Sequence, residues 1–141
     1  MEDEIIFLVD SNIWLERLLD QKKSDEVKQF LDQVPSSKLS ISDFSLHSIG
    51  VILFHLGRQN VFNLFIKDIF NNGDVHLFFL EGKEHEEISE VVKTQGLDFD
   101  DAYQYVIAKK NNFLIVSFDK DFKKTDIMVL DPLKAIEKFK K

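Results

Sequence analysis

The chain has 141 residues, 44% of them hydrophobic, with 14 Phe and no Cys. That length can bury a sizeable core, the apolar content excludes a disordered chain, and the lack of Cys excludes disulfides and thiolate metal sites. A formal net charge of -7 excludes a protein that coats nucleic acid by bulk electrostatics, while leaving room for an enzyme that meets nucleic acid through a bound cation.

Ile5 to Val9 is an unbroken apolar run, the pattern of a strand covered on both faces, and it ends on Asp10-Ser11-Asn12. A helix from Ile13 to about Leu19 follows, with Asn12 as its expected N-cap, and Ser24 is placed to cap a second helix from Asp25 to Gln33. Lys38 to Ser42 reads as the second strand. Asp43 to Leu56 predicts a helix ended by Gly57, and Asn60 to Phe70 another, stopped by Asn71-Asn72-Gly73. This pair is so apolar that it reads equally as a buried hairpin or as a partner surface. Val75 to Leu80 predicts a third strand and Lys83 to Gln95 a charged amphipathic helix closed by Gly96. A helix from Asp100 to Asn111, a strand from Phe113 to Val116 and a short strand from Ile127 to Leu130 come next, before Pro132 opens a last helix.

Alternating strands and helices, without repeats or a linker, predict a single α/β domain over residues 1–141. The expected arrangement is three layers, α/β/α, around a central, mostly parallel sheet of about five strands. The start of the chain is acidic and lacks the basic region of a signal peptide. No apolar run reaches the roughly 20 residues of a membrane span. A cytoplasmic protein without membrane attachment is therefore expected.

The functional signal lies in the acids. Asp10 stands just past the first strand, Asp101 opens the helix that leads into the fourth, and Asp119 stands just past that fourth strand. Parallel sheets bind ligands outside the carboxyl ends of their strands, so these three carboxylates are expected to converge there and to suit a hard divalent cation. Each has a plainer reading: Asp10 as a turn residue, Asp101 as partner of Asp98 in a variant capping box, Asp119 as cap of a short helix. Asp98 and Asp100 are assigned to capping, and Asp121 to that helix's first turn or to an outer position of the site. Ser117 is placed to hold a carboxylate or a water. Lys109-Lys110 reads as a solvated face, and Lys123-Lys124 as either a solvated face or a phosphate contact. His47, His55, His76 and His85 show no ligand spacing.

Three of these stretches, in this order, resemble the PIN domain of VapC-type toxins in bacteria and archaea, a likeness that covers nearly the whole chain. They are Leu8-Val9-Asp10-Ser11-Asn12-Ile13, Asp101-Ala102, and Ser117-Phe118-Asp119-Lys120-Asp121-Phe122. The resemblance implies an Mg²⁺- or Mn²⁺-dependent endoribonuclease that hydrolyses phosphodiesters, with Asp10, Asp101 and Asp119 as catalytic and metal residues. Asn12, Ser117 and Asp121 would support them. It also implies RNA as substrate and an antitoxin protein as partner; the apolar helical pair from Phe44 to Phe70 adds the expectation of a homodimer or antitoxin interface.

One motif departs from the family. The Glu usual in the helix after the second strand falls at Ser48. The nearest acid, Asp43, lies five residues earlier, or roughly 140° around a helix. The implied function is thus a PIN-type ribonuclease with Ser48 in place of the usual acid, or else a degenerate PIN domain that binds RNA or protein without cutting. Asp119-Lys120-Asp121 also mimics a haloacid-dehalogenase-like phosphatase motif, but that motif should follow the first strand. Response-regulator receivers would need paired acids after the first strand and a Lys after the fifth, and neither is convincing here.

Overall fold

The structure is a computed structural model that describes residues 4–141, apart from the side chain of Lys123; a phosphate contact by that side chain lies outside the described residues. Its frame is a sheet of five parallel strands: β1 (Phe7–Val9), β2 (Leu39–Ser42), β3 (His76–Phe78), β4 (Leu114–Val116) and β5 (Val129–Leu130), in the spatial order β3-β2-β1-β4-β5. The apolar run read as a doubly covered strand is the central one. Phe7, Leu8 and Val9 are all fully buried.

Alternation along β1 sorts the core into two halves. Phe7 and Val9 pack with Ile13 and Trp14 of α1 (Ser11–Leu18), Val27 and Phe30 of α2 (Ser24–Gln33), Ile49 and Leu53 of α3 (Asp43–His55), Phe65 of α4 (Gln59–Ile66), and Ala135 and Ile136 of the C-terminal helix α7 (Pro132–Lys140). Leu8 points the other way, with Ile88 of α5 (Glu86–Gln95), Ala102 and Val106 of α6 (Phe99–Asn111), and Ile115. The expected three layers are present, and the sheet is wholly parallel.

Two caps differ from the sequence reading. α1 begins at Ser11, and its N-cap is Asp10, whose Oδ1 accepts the Ser11 N–H at 2.8 Å. Asp10 is already pinned to the sheet, because its own N–H donates to the Val116 carbonyl at 2.9 Å. Asn12 therefore falls inside the first turn, where its side chain is free to reach elsewhere. Likewise α2 starts at Ser24 itself, and the Ser24 hydroxyl accepts from Arg17 Nη1 at 3.0 Å instead of capping.

The apolar hairpin is partly buried and partly open. Gly50 lets α3 and α4 approach closely, since a Cβ there would lie 3.3 Å from the Phe62 ring. The second helix does not run straight to Phe70: it gives way to a π-helical turn over Lys67–Asn71. While Ile49, Leu53 and Phe65 are buried, Val51, Phe54, Leu56 and Leu64 stay exposed. A groove of about 510 Å³ runs between the two helices, lined by Asp43, Leu46, His47, Gly50, Val51, Phe54 and Phe62. No helix among the described residues is long and apolar enough to cross a membrane.

Candidate functional site

At the carboxyl ends of β1 and β4 the chain assembles a polar knot. Ser117 directly follows β4 and is held by its N–H to the Leu130 carbonyl at 3.0 Å. Its hydroxyl donates to Asp10 Oδ2 at 2.7 Å and accepts from the Asp119 N–H at 2.9 Å. Asn12 ties α1 to the same loop: Nδ2 donates to Ser117 Oγ at 3.1 Å, and Oδ1 accepts the Phe118 N–H at 3.2 Å. A misplaced cap in the sequence reading is thus a cross-brace in the fold.

The acids arrive from three elements. Asp98 caps α6 by accepting the Asp101 N–H at 2.9 Å, which aims Asp101 inward from the helix's first turn. Asp119 caps a 3-10 turn over Lys120–Lys124 and accepts the Asp121 N–H at 2.9 Å. That tight turn brings Asp121 back alongside. One carboxylate oxygen from each of Asp101, Asp119 and Asp121 lies within 4.8 Å of the others.

Asp10 stands outside that trio, with both its oxygens engaged. Besides Ser11 and Ser117 it accepts from Gln104 Nε2 at 3.3 Å and, more loosely, from Asn12 Nδ2 at 3.5 Å. It is nonetheless close enough to feel the cluster. Burial holds the Asp10 carboxyl above its ordinary range against the hydrogen bonds from Ser117, Ser11 and Gln104, and the charge of Asp119 adds to the rise. Asp101 is pushed up to about 8, first by burial, then by the charge of Asp119, with Asp98, a hydrogen bond to Asp119 and Asp10 acting in the same direction. Without a cation the cluster keeps a proton that a lone carboxylate would lose.

The other expected residues sort themselves around this centre. Ser48 is half-buried in α3. Asp43 does not replace the missing acid; it accepts from the Tyr103 hydroxyl at 2.6 Å. Lys109 pairs with Asp126 at 2.6 Å, and Lys110 with Glu84 and Glu87 at 2.8 and 3.1 Å, the solvated face read for them. Lys124 is exposed and lies against Gly96.

Two contributors were missed in the sequence. Gln104, which is 2% exposed, bridges Asp10 to Ser45 Oγ at 2.9 Å, and its own Oε1 is buried without a partner. Its signal was there to be read: a polar side chain one turn after Asp101, within a stretch of α6 that is otherwise buried. Ser45 is fully buried in the first turn of α3. Ser48 follows it by one helical turn, on the same side of α3.

The PIN domain family matches residues 7–128, from β1 to the edge of β5. The chain belongs to the PIN domain family. Among solved structures, this PIN domain is similar to a toxin–antitoxin complex from Klebsiella pneumoniae, at 18% identity and a TM-score of 0.71 over 89% of this chain and 96% of that one. It is similar to the sarcin-ricin loop cleaving toxin VapC20 of Mycobacterium tuberculosis at 15% identity, with a TM-score of 0.73 over 86% and 96% of the two chains. FitAcB from Neisseria gonorrhoeae gives 21% identity and 0.69 over 91% and 99%. Such likenesses establish a shared fold. No curated protein sequence matches the chain.

The donor set of this PIN domain is chemically uniform. Asp101, Asp119 and Asp121 offer only carboxylate oxygen, the ligand type preferred by Mg²⁺, Mn²⁺ and Ca²⁺. The Asp101 carboxyl is raised first by burial and then by the charges of Asp119, Asp98 and Asp10, and a divalent cation would offset that cost of ionising it. By donor chemistry and by spacing, these residues fit such an ion.

Proposed function

We propose that this PIN domain is a divalent-metal-dependent endoribonuclease, the toxin of a toxin–antitoxin pair, in which Ser48 stands where the family usually carries Glu. The observation that carries this reading is the meeting of Asp101, Asp119 and Asp121 beside Asp10 at one sheet edge. Asp101, Asp119 and Asp121 are the residues that would hold Mg²⁺ or Mn²⁺. A divalent cation there supplies charge stabilisation to the scissile phosphate and makes water a better nucleophile. Asp10 completes the acidic pocket, and Ser117, Gln104 and Asn12 lock its orientation so that it need not reorganise during reaction. Lys124, exposed just after the acidic loop, would meet backbone phosphate.

Ser48 leaves the α3 side of the pocket without a carboxylate. We expect the ion to be held more weakly than by four acids, and Mn²⁺ to serve better than Mg²⁺, which demands near-ideal octahedral geometry. The test is a cleavage assay on structured and single-stranded RNA with each metal. Wild type should cut slowly, Ser48→Glu faster, and Asp101→Asn and Asp10→Asn not at all. A wild type as fast as Ser48→Glu would mean that another group does the work of the missing Glu. If neither wild type nor Ser48→Glu cuts although both bind metal, the non-catalytic binding module takes the lead; the Ser at position 48 is the feature that favours it.

The exposed apolar residues of α3 and α4 support a homodimer or antitoxin interface in the same reading. The likeness to a toxin–antitoxin complex points the same way.

A further inference from the structure

A second cavity opens on the β2 and β3 side of the same sheet edge. It measures about 440 Å³ and is lined by Asp43, Phe44, His47, His85, Phe99 and Tyr103. Phe99 and Tyr103 stand on α6 two residues before and two after Asp101, and Asp43 opens α3 directly after β2. Phe99 and Tyr103, four residues apart, share one face of α6, and Asp101 between them is turned to another.

Its walls are aromatic and held in place. The Tyr103 hydroxyl accepts the Leu80 N–H at 3.1 Å and donates to Asp43 Oδ1 at 2.6 Å. The Tyr103 ring lies 5.8 Å from Phe44 and 5.7 Å from His85, centroid to centroid, both tilted. His85 Nδ1 is fixed by the Glu81 carbonyl at 3.0 Å. Phe99 is 54% exposed, an unusual place for an aromatic side chain in the first turn of a helix. Asp43 Oδ1 takes two donors, the Tyr103 hydroxyl and the Phe44 N–H at 2.8 Å, whereas no hydrogen bond within the described residues reaches Oδ2. The cavity thus offers flat rings and one charged, acceptor-only edge.

We propose that this cavity is a nucleobase subsite, in which one unpaired base of a single-stranded RNA stacks against Phe99 and His85 and donates an amino or imino N–H to Asp43 Oδ2. The inference rests on the ribonuclease reading above and adds to it a place for one base of the substrate at the same sheet edge. Two features favour a base over a peptide side chain. Aromatic rings stack on every base, and the free acceptor matches the amino groups of adenine, cytosine and guanine. A paired base presents neither a free face nor a free Watson–Crick edge, so duplex RNA is excluded.

The experiment measures binding of a short single-stranded RNA carrying 2-aminopurine, in Ca²⁺, with wild type, Phe99→Leu/His85→Ala and Phe99→Trp. Mn²⁺ affinity is measured in parallel. Wild type should bind and quench the fluorophore. The double variant should bind about tenfold more weakly with the quench lost, while Phe99→Trp keeps both and Mn²⁺ affinity is unchanged in all three. RNA bound by the double variant with the wild-type Kd and quench overturns the subsite while leaving the nuclease reading intact. Failure of wild type to bind any RNA overturns both. Loss of a co-purified protein by the double variant, with RNA binding unchanged, assigns the cavity to a protein and also overturns the inference.

Discussion

Asp101→Asn tests the electrostatics of the site without any substrate. Asp101 is 8% exposed, and its carboxyl is pushed from 3.8 up to about 8, chiefly by burial and by the charge of Asp119. A carboxyl raised by folding makes the native state hold more protons than the unfolded chain. Its contribution to stability is therefore fully present below the unfolded value and is lost as pH rises through the folded one. Expressed in full, this would cost about 1.4 kcal/mol per pH unit between those limits. Solvent on the open side of the pocket and the sharing of charge with Asp119 reduce the total to roughly 2 kcal/mol. For a chain of this size that is on the order of 6 °C in Tm. In EDTA, wild type should lose stability from pH 5 to pH 8.5, and Asp101→Asn should lose about 6 °C less. Mn²⁺ should then raise wild type selectively, because it binds the native carboxylates. Thermal melts of both proteins across that range, with and without Mn²⁺, give the answer. A Tm difference between the two that stays constant with pH would refute the reasoning.

Gln104→Leu removes the donor shared by Asp10 and Ser45 together with an oxygen that has no partner, so stability should change by only about 1 kcal/mol. RNA cleavage should nonetheless slow about tenfold, because Asp10 loses a brace, and an unchanged rate would remove Gln104 from the site. Trp14 packs edge-on against Phe65 at 5.3 Å with its indole N–H buried and unpaired. By urea unfolding, Trp14→Phe should cost less than about 1.5 kcal/mol and Trp14→Ala about 3–5 kcal/mol; a Trp14→Phe cost well above that limit would mean that the N–H has a partner. Phe54→Lys puts a charge in the α3–α4 groove and should convert a dimeric wild type to monomer in light scattering without changing the far-UV spectrum. A wild type already monomeric across a wide concentration range would remove the homodimer.

Much of this protein is written locally. Five strand patterns alternating with helical ones were enough for an α/β sheet, and Asp10, directly after the first, and Asp119, three residues past the fourth, were enough to mark its carboxyl edge. The absence of an acid at Ser48 is likewise visible by inspection, because the helix it sits on is predictable from its neighbours. Periodicity and capping report which face a residue occupies, and for these positions the face is the answer.

What periodicity cannot report is which faces meet. Asp121 joins the cluster because the 3-10 turn capped by Asp119 folds it back, and Asn12 becomes a brace because Asp10 has already taken the cap. Gln104 touches Asp10 and Ser45 across 94 and 59 residues of sequence, a contact fixed by the order of strands β2, β1 and β4 beneath α6. The pairing of Tyr103 with Asp43 has the same origin. The hairpin over α3 and α4 shows the limit most clearly. Its composition allowed burial or exposure equally. Only the area of one small sheet face, shared with α1, α2 and α7, decided that Ile49, Leu53 and Phe65 go in while Val51, Phe54 and Leu64 stay out.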